Sequence, residues 1–155
     1  MKIYLAGSIS GGRDFANSLN LICNLLEKRG HEVLTKKIVV NLDPKDIGAK
    51  TRKDRKQIVN RDMTMIKKSD AVIVEASQWG YGIGYEHRVA EEFKKPVLIL
   101  RSDSLKNNRL SAFMDGTGYK KLHFAFYNED TVERILNNFL KNVSKPPLHG
   151  GKYFD

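Results

Sequence analysis

Residues 69–86 read Ser69-Asp70-Ala71-Val72-Ile73-Val74-Glu75-Ala76-Ser77-Gln78-Trp79-Gly80-Tyr81-Gly82-Ile83-Gly84-Tyr85-Glu86. Ala71–Ala76 reads as a continuously apolar strand, the pattern of a parallel strand covered on both faces. The run Trp79–Glu86 then carries alternate glycines and opens a helix. Glycines without Cβ let a backbone approach a ligand closely, and the segment delivers Glu86 into the first helical turn. Taken alone the run fits two readings. One is a ligand-hugging loop that places a carboxylate; the other is a plain glycine turn with a solvated Glu.

Outward from this segment the chain alternates strands and helices. Residues 2–6 form a first strand, ended by Gly7-Ser8. Arg13 to Arg29 carries an apolar stripe at Phe15, Leu19, Ile22, Leu25 and Leu26, with Gly30 as a helix stop. His31–Leu34 reads as a short second strand and residues 35–51 as a long polar loop. A second helix spans Arg52 to Lys68, and a third Gly84 to Lys94. Pro96–Leu100 is strand four, Ser102–Asn108 a polar turn, Leu110–Met114 a short helix, His123–Tyr127 strand five and Thr131–Val143 a last helix. Such alternation means right-handed crossovers and a mostly parallel, doubly wound α/β sheet with helices on both faces. The expected domain is 1–143, followed by an extended tail over 144–155.

Composition narrows the class. A chain of 155 residues, 41% hydrophobic and 29% charged, is an ordinary globular domain with a real core. No apolar stretch approaches the roughly 18 residues of a membrane span. The single cysteine, Cys23, lies among leucines and reads as a core residue in a reducing compartment, which makes the cytoplasm the expected location. The net charge of +9 admits a nucleic-acid partner, but no nucleic-acid-binding motif accompanies it. The basic stretch Lys45–Lys56 reads as a solvated loop and helix start. A positive field also suits small phosphorylated ligands. Nothing in the sequence calls for a metal or a cofactor.

In a doubly wound sheet, ligands bind beyond the carboxyl ends of the strands. That rule selects Gly7–Arg13, Ser77–Glu86 and Arg101–Ser111. Gly7-Ser8-Ile9-Ser10-Gly11-Gly12-Arg13 is a glycine- and serine-rich turn entering a helix. It is suited either to an anion held by backbone N–H groups and Arg13 or to a tight turn alone. It is neither a P-loop nor a dinucleotide fingerprint. Asp62 lies well before the end of a helix antiparallel to strand three, so it can face Glu86 across the crevice. Two carboxylates in one pocket suit glycosidic chemistry. The alternative for Asp62 is a surface pair with Arg61 or Lys67. Tyr4 is a core aromatic or a partner of the acids, Ser111 a helix cap or a ligand contact, and His87 peripheral, since it points about 100° from Glu86.

Together, Met1–Ile9 with Gly11-Gly12-Arg13, Asp62, Ser69–Glu75, Gly82–Glu86 and Arg109-Leu110-Ser111-Ala112 resemble the 2′-deoxynucleoside 5′-phosphate N-hydrolases of the nucleoside 2-deoxyribosyltransferase superfamily. The resemblance covers roughly residues 1–140. It implies a flavodoxin-like five-stranded parallel sheet, a homodimer, and cleavage of the N-glycosidic bond of a nucleoside monophosphate. Glu86 would be the nucleophile, Asp62 its assistant and Tyr4 a hydrogen-bond partner. Gly7, Ser8, Ile9, Gly82 and Gly84 would line the nucleotide, with Ser111 reaching a phosphate from the neighbouring subunit. The chain departs from the family pattern at Ser10, where an Arg is expected, and at Gly80, where a phosphate-binding Ser is expected. Base exchange between nucleosides and nucleotide binding without turnover are the alternative readings. By analogy with the transferases, the tail ending Tyr153-Phe154-Asp155 would complete a neighbour's site.

Overall fold

The computed structural model describes residues 1–8, 14–40, 51–78, 80–108 and 111–143, with only the backbone of Phe113. Ile9, Ser10, Gly11, Gly12, Arg13, residues 45–50 of the basic stretch, Trp79, Arg109, Leu110 and the tail 144–155 lie outside the described residues.

The elements in chain order are β1 (Lys2–Ala6), α1 (Ala16–Lys28), β2 (Glu32–Val33), α2 (Lys36–Val39), α3 (Arg52–Lys68), β3 (Ala71–Glu75), α4 (Tyr81–Glu92), β4 (Val97–Ser102), a 3₁₀ turn at Asp103–Leu105, α5 (Ala112–Asp115), β5 (Leu122–Tyr127) and α6 (Val132–Val143). The five strands form one parallel sheet in the order β2-β1-β3-β4-β5. This is the flavodoxin-like order, whose direction reverses between β1 and β3.

Strand parity sorts the core into two layers. Ile3, Leu5, Ile73, Leu98 and Leu100 pack with Leu19, Ile22, Cys23 and Leu26 of α1 and Leu136, Phe139 and Leu140 of α6. Tyr4, Ala6, Val72, Val74, Val97 and Ile99 point the other way, onto Ile66 of α3 and Ile83, Val89 and Ala90 of α4. The expected burial of Cys23 holds: it is fully enclosed.

Local chemistry explains the helix ends. Thr51 opens α3 with a capping box: its Oγ1 accepts the Asp54 amide at 3.1 Å and its own amide donates to Asp54 Oδ2 at 3.1 Å. At the other end of α1, Gly30 takes φ 79°, the left-handed geometry that glycine favours.

Three sequence expectations are corrected. The long loop expected over 35–51 contains α2, whose Val39 is buried against the α1 layer. The second strand shortens from His31–Leu34 to Glu32–Val33: the Leu34 amide makes the last ladder bond, to the Ile3 carbonyl at 2.9 Å, and the chain then turns into α2. The third helix begins at Tyr81 rather than Gly84, so Gly82 and Gly84 are helical and Glu86 sits in the second turn.

Gly7 ends β1 under the core. A Cβ there would stand 2.5 Å from Leu19 Cδ2 and 2.6 Å from Leu19 Cδ1, inside a fully packed layer. Gly7→Ala is expected to lower stability by about 1–3 kcal/mol, the usual cost of overpacking. Urea unfolding of the two proteins measures it.

Candidate active site

The β1/β3 switch point opens into a cleft of about 1250 Å³. Three elements bring the two acids and the tyrosine to it. Tyr4 points from β1 to the α3/α4 side and is buried. On α3, Asp62 lies six residues before the helix end, about 9 Å back toward the carboxyl edge of the sheet. Glu86 comes from α4, and all three line the cleft.

Tyr4 donates a hydrogen bond to the Glu86 carboxylate. Burial, followed by the charges of Glu86 and Asp62, holds the Tyr4 hydroxyl firmly protonated. Glu86 is raised from its ordinary 4.5 to about 7, first by burial and then by Asp62, against the opposing pull of the Tyr4 hydrogen bond and of Arg61. A helix N-terminus favours an ionised carboxylate, but that pull is overcome here. The macrodipole fades within the first turn, Glu86 is the sixth residue of α4, and burial beside a second acid outweighs it. Arg61 Nε stands 2.9 Å from Asp62 Oδ1. Asp62 thus pairs with Arg61, away from an open surface, and its charge also acts on Glu86.

The remaining expected residues divide. Gly7, Ser8, Gly80, Gly82, Gly84 and Ser111 all line the cleft. Ser8 is buried, its Oγ has no hydrogen-bond partner among the described residues, and it stands 3.7 Å from where a Cβ on Gly80 would be. Gly82 and Gly84 have open space where a Cβ would project. No described residue demands glycine there, so among the described residues the clearance is available to whatever occupies the cleft. His87, expected to be peripheral, is buried in the cleft wall. Its Nε2 lies 3.1 Å from Glu91 Oε1, to which Thr117 Oγ1 donates at 2.6 Å, while Arg88 reaches Glu91 Oε2 at 3.0 Å. Burial lowers the His87 pKa although Glu91 pulls it upward. The imidazole's charged neighbours are thus Glu91 and Arg88, and this group latches α4 to the segment after α5.

Sequence reasoning missed Arg61 as a part of the site, the Glu91 latch, and Gln78, whose side chain accepts the Asp14 amide at 3.1 Å and ties the first loop to the second. Arg61 had a signal, its place next to Asp62; the latch had none, because it depends on a fold-dependent encounter with Thr117. No cluster of three metal-ligating side chains occurs among the described residues.

An open parallel sheet with paired carboxylates at its switch point is the arrangement of a small-ligand α/β domain. The nucleoside 2-deoxyribosyltransferase family model matches residues 3–133, and the chain belongs to that family. A 5-hydroxymethyl-dUMP N-hydrolase of Esox lucius is 35% identical over 147 residues, 94% of this chain and 99% of the relative. A Nematostella vectensis protein provisionally named 2′-deoxynucleoside 5′-phosphate N-hydrolase 1 is 37% identical over 143 residues, 92% of this chain and 95% of its own. The solved structure of a Clostridium botulinum CMP N-glycosidase shares the fold, with TM-score 0.60 over 88% of this chain and 99% of that one at 19% identity.

Folding favours the protonated form of Glu86, because its pKa rises from 4.5 to about 7. The stability it contributes is complete below its unfolded pKa and is lost as pH rises through about 7. Glu86→Gln is therefore expected to gain Tm relative to the parent as pH goes from 5 to 8. Paired thermal melts at the two pH values check the sign.

Proposed function

We propose that the protein is a nucleotide N-glycosidase, hydrolysing the N-glycosidic bond of (deoxy)nucleoside 5′-monophosphates to free base and (deoxy)ribose 5-phosphate. The observation that carries this reading is the convergence of Glu86, Asp62 and Tyr4 in one cleft at the β1/β3 switch point. The names of the relatives agree with it.

In this reading a Glu86 oxygen attacks C1′ as the C1′–N bond breaks. The bonding pair leaves with the base, which takes a proton from solvent while Asp62 orients Glu86 and the sugar. Water then attacks C1′ of the glycosyl-Glu86 ester, passes its proton through Asp62 to solvent and frees the carboxylate. A covalent intermediate splits one hard substitution into two easier ones. Tyr4 steadies the carboxylate and releases it during attack.

The chain acts as a homodimer in this reading, with Ser111 entering the neighbour's cleft. The cleft of about 1250 Å³ exceeds the roughly 300–1,000 Å³ of ordinary ligand pockets. Tyr81 and Tyr85 of α4 and Val59 of α3 are exposed, an apolar rim suited to a second chain. Residues 1–143 would make the catalytic domain, working in the cytoplasm. Among the described residues no helix is long and apolar enough to cross a membrane.

Incubation with deoxynucleoside and nucleoside monophosphates, followed by chromatography, is expected to show free base. Glu86→Ala should fall below about one thousandth of the wild-type rate, and Asp62→Asn should lose about 10²–10⁴-fold. An acceptor base added to the reaction should leave hydrolysis as the outcome. The kcat/KM profile should rise with pH through about 7, as Glu86 ionises. Release of base by Glu86→Ala at the wild-type rate would sink the reading.

Mixing Glu86→Ala with Ser111→Ala tests the shared site. If Ser111 acts across the interface, each mixed dimer holds one intact site, and the mixture outperforms either variant alone. Activity no greater than the sum of the two places Ser111 in its own chain's site.

A further inference from the structure

Glu75 is a carboxylate with no role in the reaction, yet it is completely buried as the last residue of β3. Its parity is that of Ile73, so it points toward the α1/α6 layer, away from Glu86. One oxygen, Oε1, takes three donors: the Ser77 amide at 3.2 Å, the Ser77 hydroxyl, and the Tyr127 hydroxyl of β5 at 2.9 Å. The other oxygen has no hydrogen-bond partner among the described residues. Arg101, buried at the end of β4, provides the opposing charge. Ser77 Oγ in turn accepts the Ser102 amide at 2.7 Å. The exits of β3, β4 and β5 are thus laced together through one buried carboxylate.

An apolar side chain in that register would avoid the desolvation a buried acid incurs, so the knot costs stability relative to plain packing. What a satisfied buried network supplies is a single arrangement of the groups it ties. Here those groups begin the link from β3 to α4. Three residues after Ser77 comes Gly80, the N-cap of α4, which makes no side-chain cap bond. No side chain of the N-cap holds this helix end, and its first turn carries Gly82 and Gly84. Gln78, next to Ser77, is held by Asp14.

We propose that Glu75, acting through Ser77 and Tyr127, is a positioning residue that fixes the β3–α4 link and thereby the placement of Glu86 in the cleft. The kinetic consequence rests on the glycosidase reading; the structural one does not. A displacement of about 1 Å at a reacting group costs on the order of 100-fold in rate.

The test compares wild type with Tyr127→Phe, which deletes one donor while keeping the ring, and with Glu75→Gln. Two quantities are read: amide hydrogen exchange by peptide, and base release from deoxynucleoside monophosphates. In Tyr127→Phe, exchange over residues 76–84 is expected to quicken about tenfold while β1 and α1 stay as in wild type. Its kcat should fall about 10–100-fold with KM within about twofold. Glu75→Gln should exceed both effects, and if it does not fold, Tyr127→Phe decides alone. Exchange unchanged over 76–84, exchange raised equally in every element, or a kcat per folded molecule equal to wild type overturns the proposal. Should the wild type release no base from any nucleotide, the glycosidase reading falls. The exchange result then decides positioning alone: quickened exchange confined to 76–84 supports it, and any other pattern overturns it.

Discussion

Tyr4 and Val72 face each other across the β1–β3 ladder, and much else follows from that register. Parallel pairing of these two strands creates the point at which the chain reverses its winding. It also decides which side chains of β1 look toward α3 and α4. Because side chains alternate along a strand, a slip of one residue would send Tyr4 into the α1/α6 layer and bring Ile3 or Leu5 under the acids. The site is thus a by-product of a hydrogen-bonded ladder that contains no polar side chain of the site except Tyr4.

Electrostatics in the cleft is a contest with a readable winner. A carboxylate near a helix start is ordinarily favoured in its charged form, but α4 begins five residues before Glu86. Over that distance the helix contributes little, while burial and Asp62 act at close range. Glu86 is left near the midpoint of its titration at neutral pH. Arg61 pulls the other way, favouring the charged carboxylate, and is outweighed by burial and Asp62.

The fold was legible because it is written in apolar spacing. The stripe Leu19, Ile22, Leu26 and the strands 71–75 and 97–100 gave the βα alternation. Element edges were less legible: α2 is a single turn in which Val39 is buried and Ile38 half-buried, and α4 starts within a glycine run whose propensity argues against helix. At the site, Tyr4, Asp62 and Glu86 were recoverable from position along the chain combined with the switch-point rule. Glu75 was not, since one acid in an apolar strand has no local partner. Its donors, Ser77 and Tyr127, meet it only after β3 and β5 are set in the same sheet. The same holds for His87, Glu91 and Thr117.

The glycines of α4 bear on how fast a cycle can finish. A first turn built as Tyr81-Gly82-Ile83-Gly84 is weaker than an alanine turn by about 1 kcal/mol for each glycine. A ligand that orders this turn further gives up part of its contact energy to backbone entropy. Ground-state affinity is lowered accordingly, for product as much as for substrate. A soft lip on a rigid five-stranded base favours departure: it shortens the time a spent ligand remains bound.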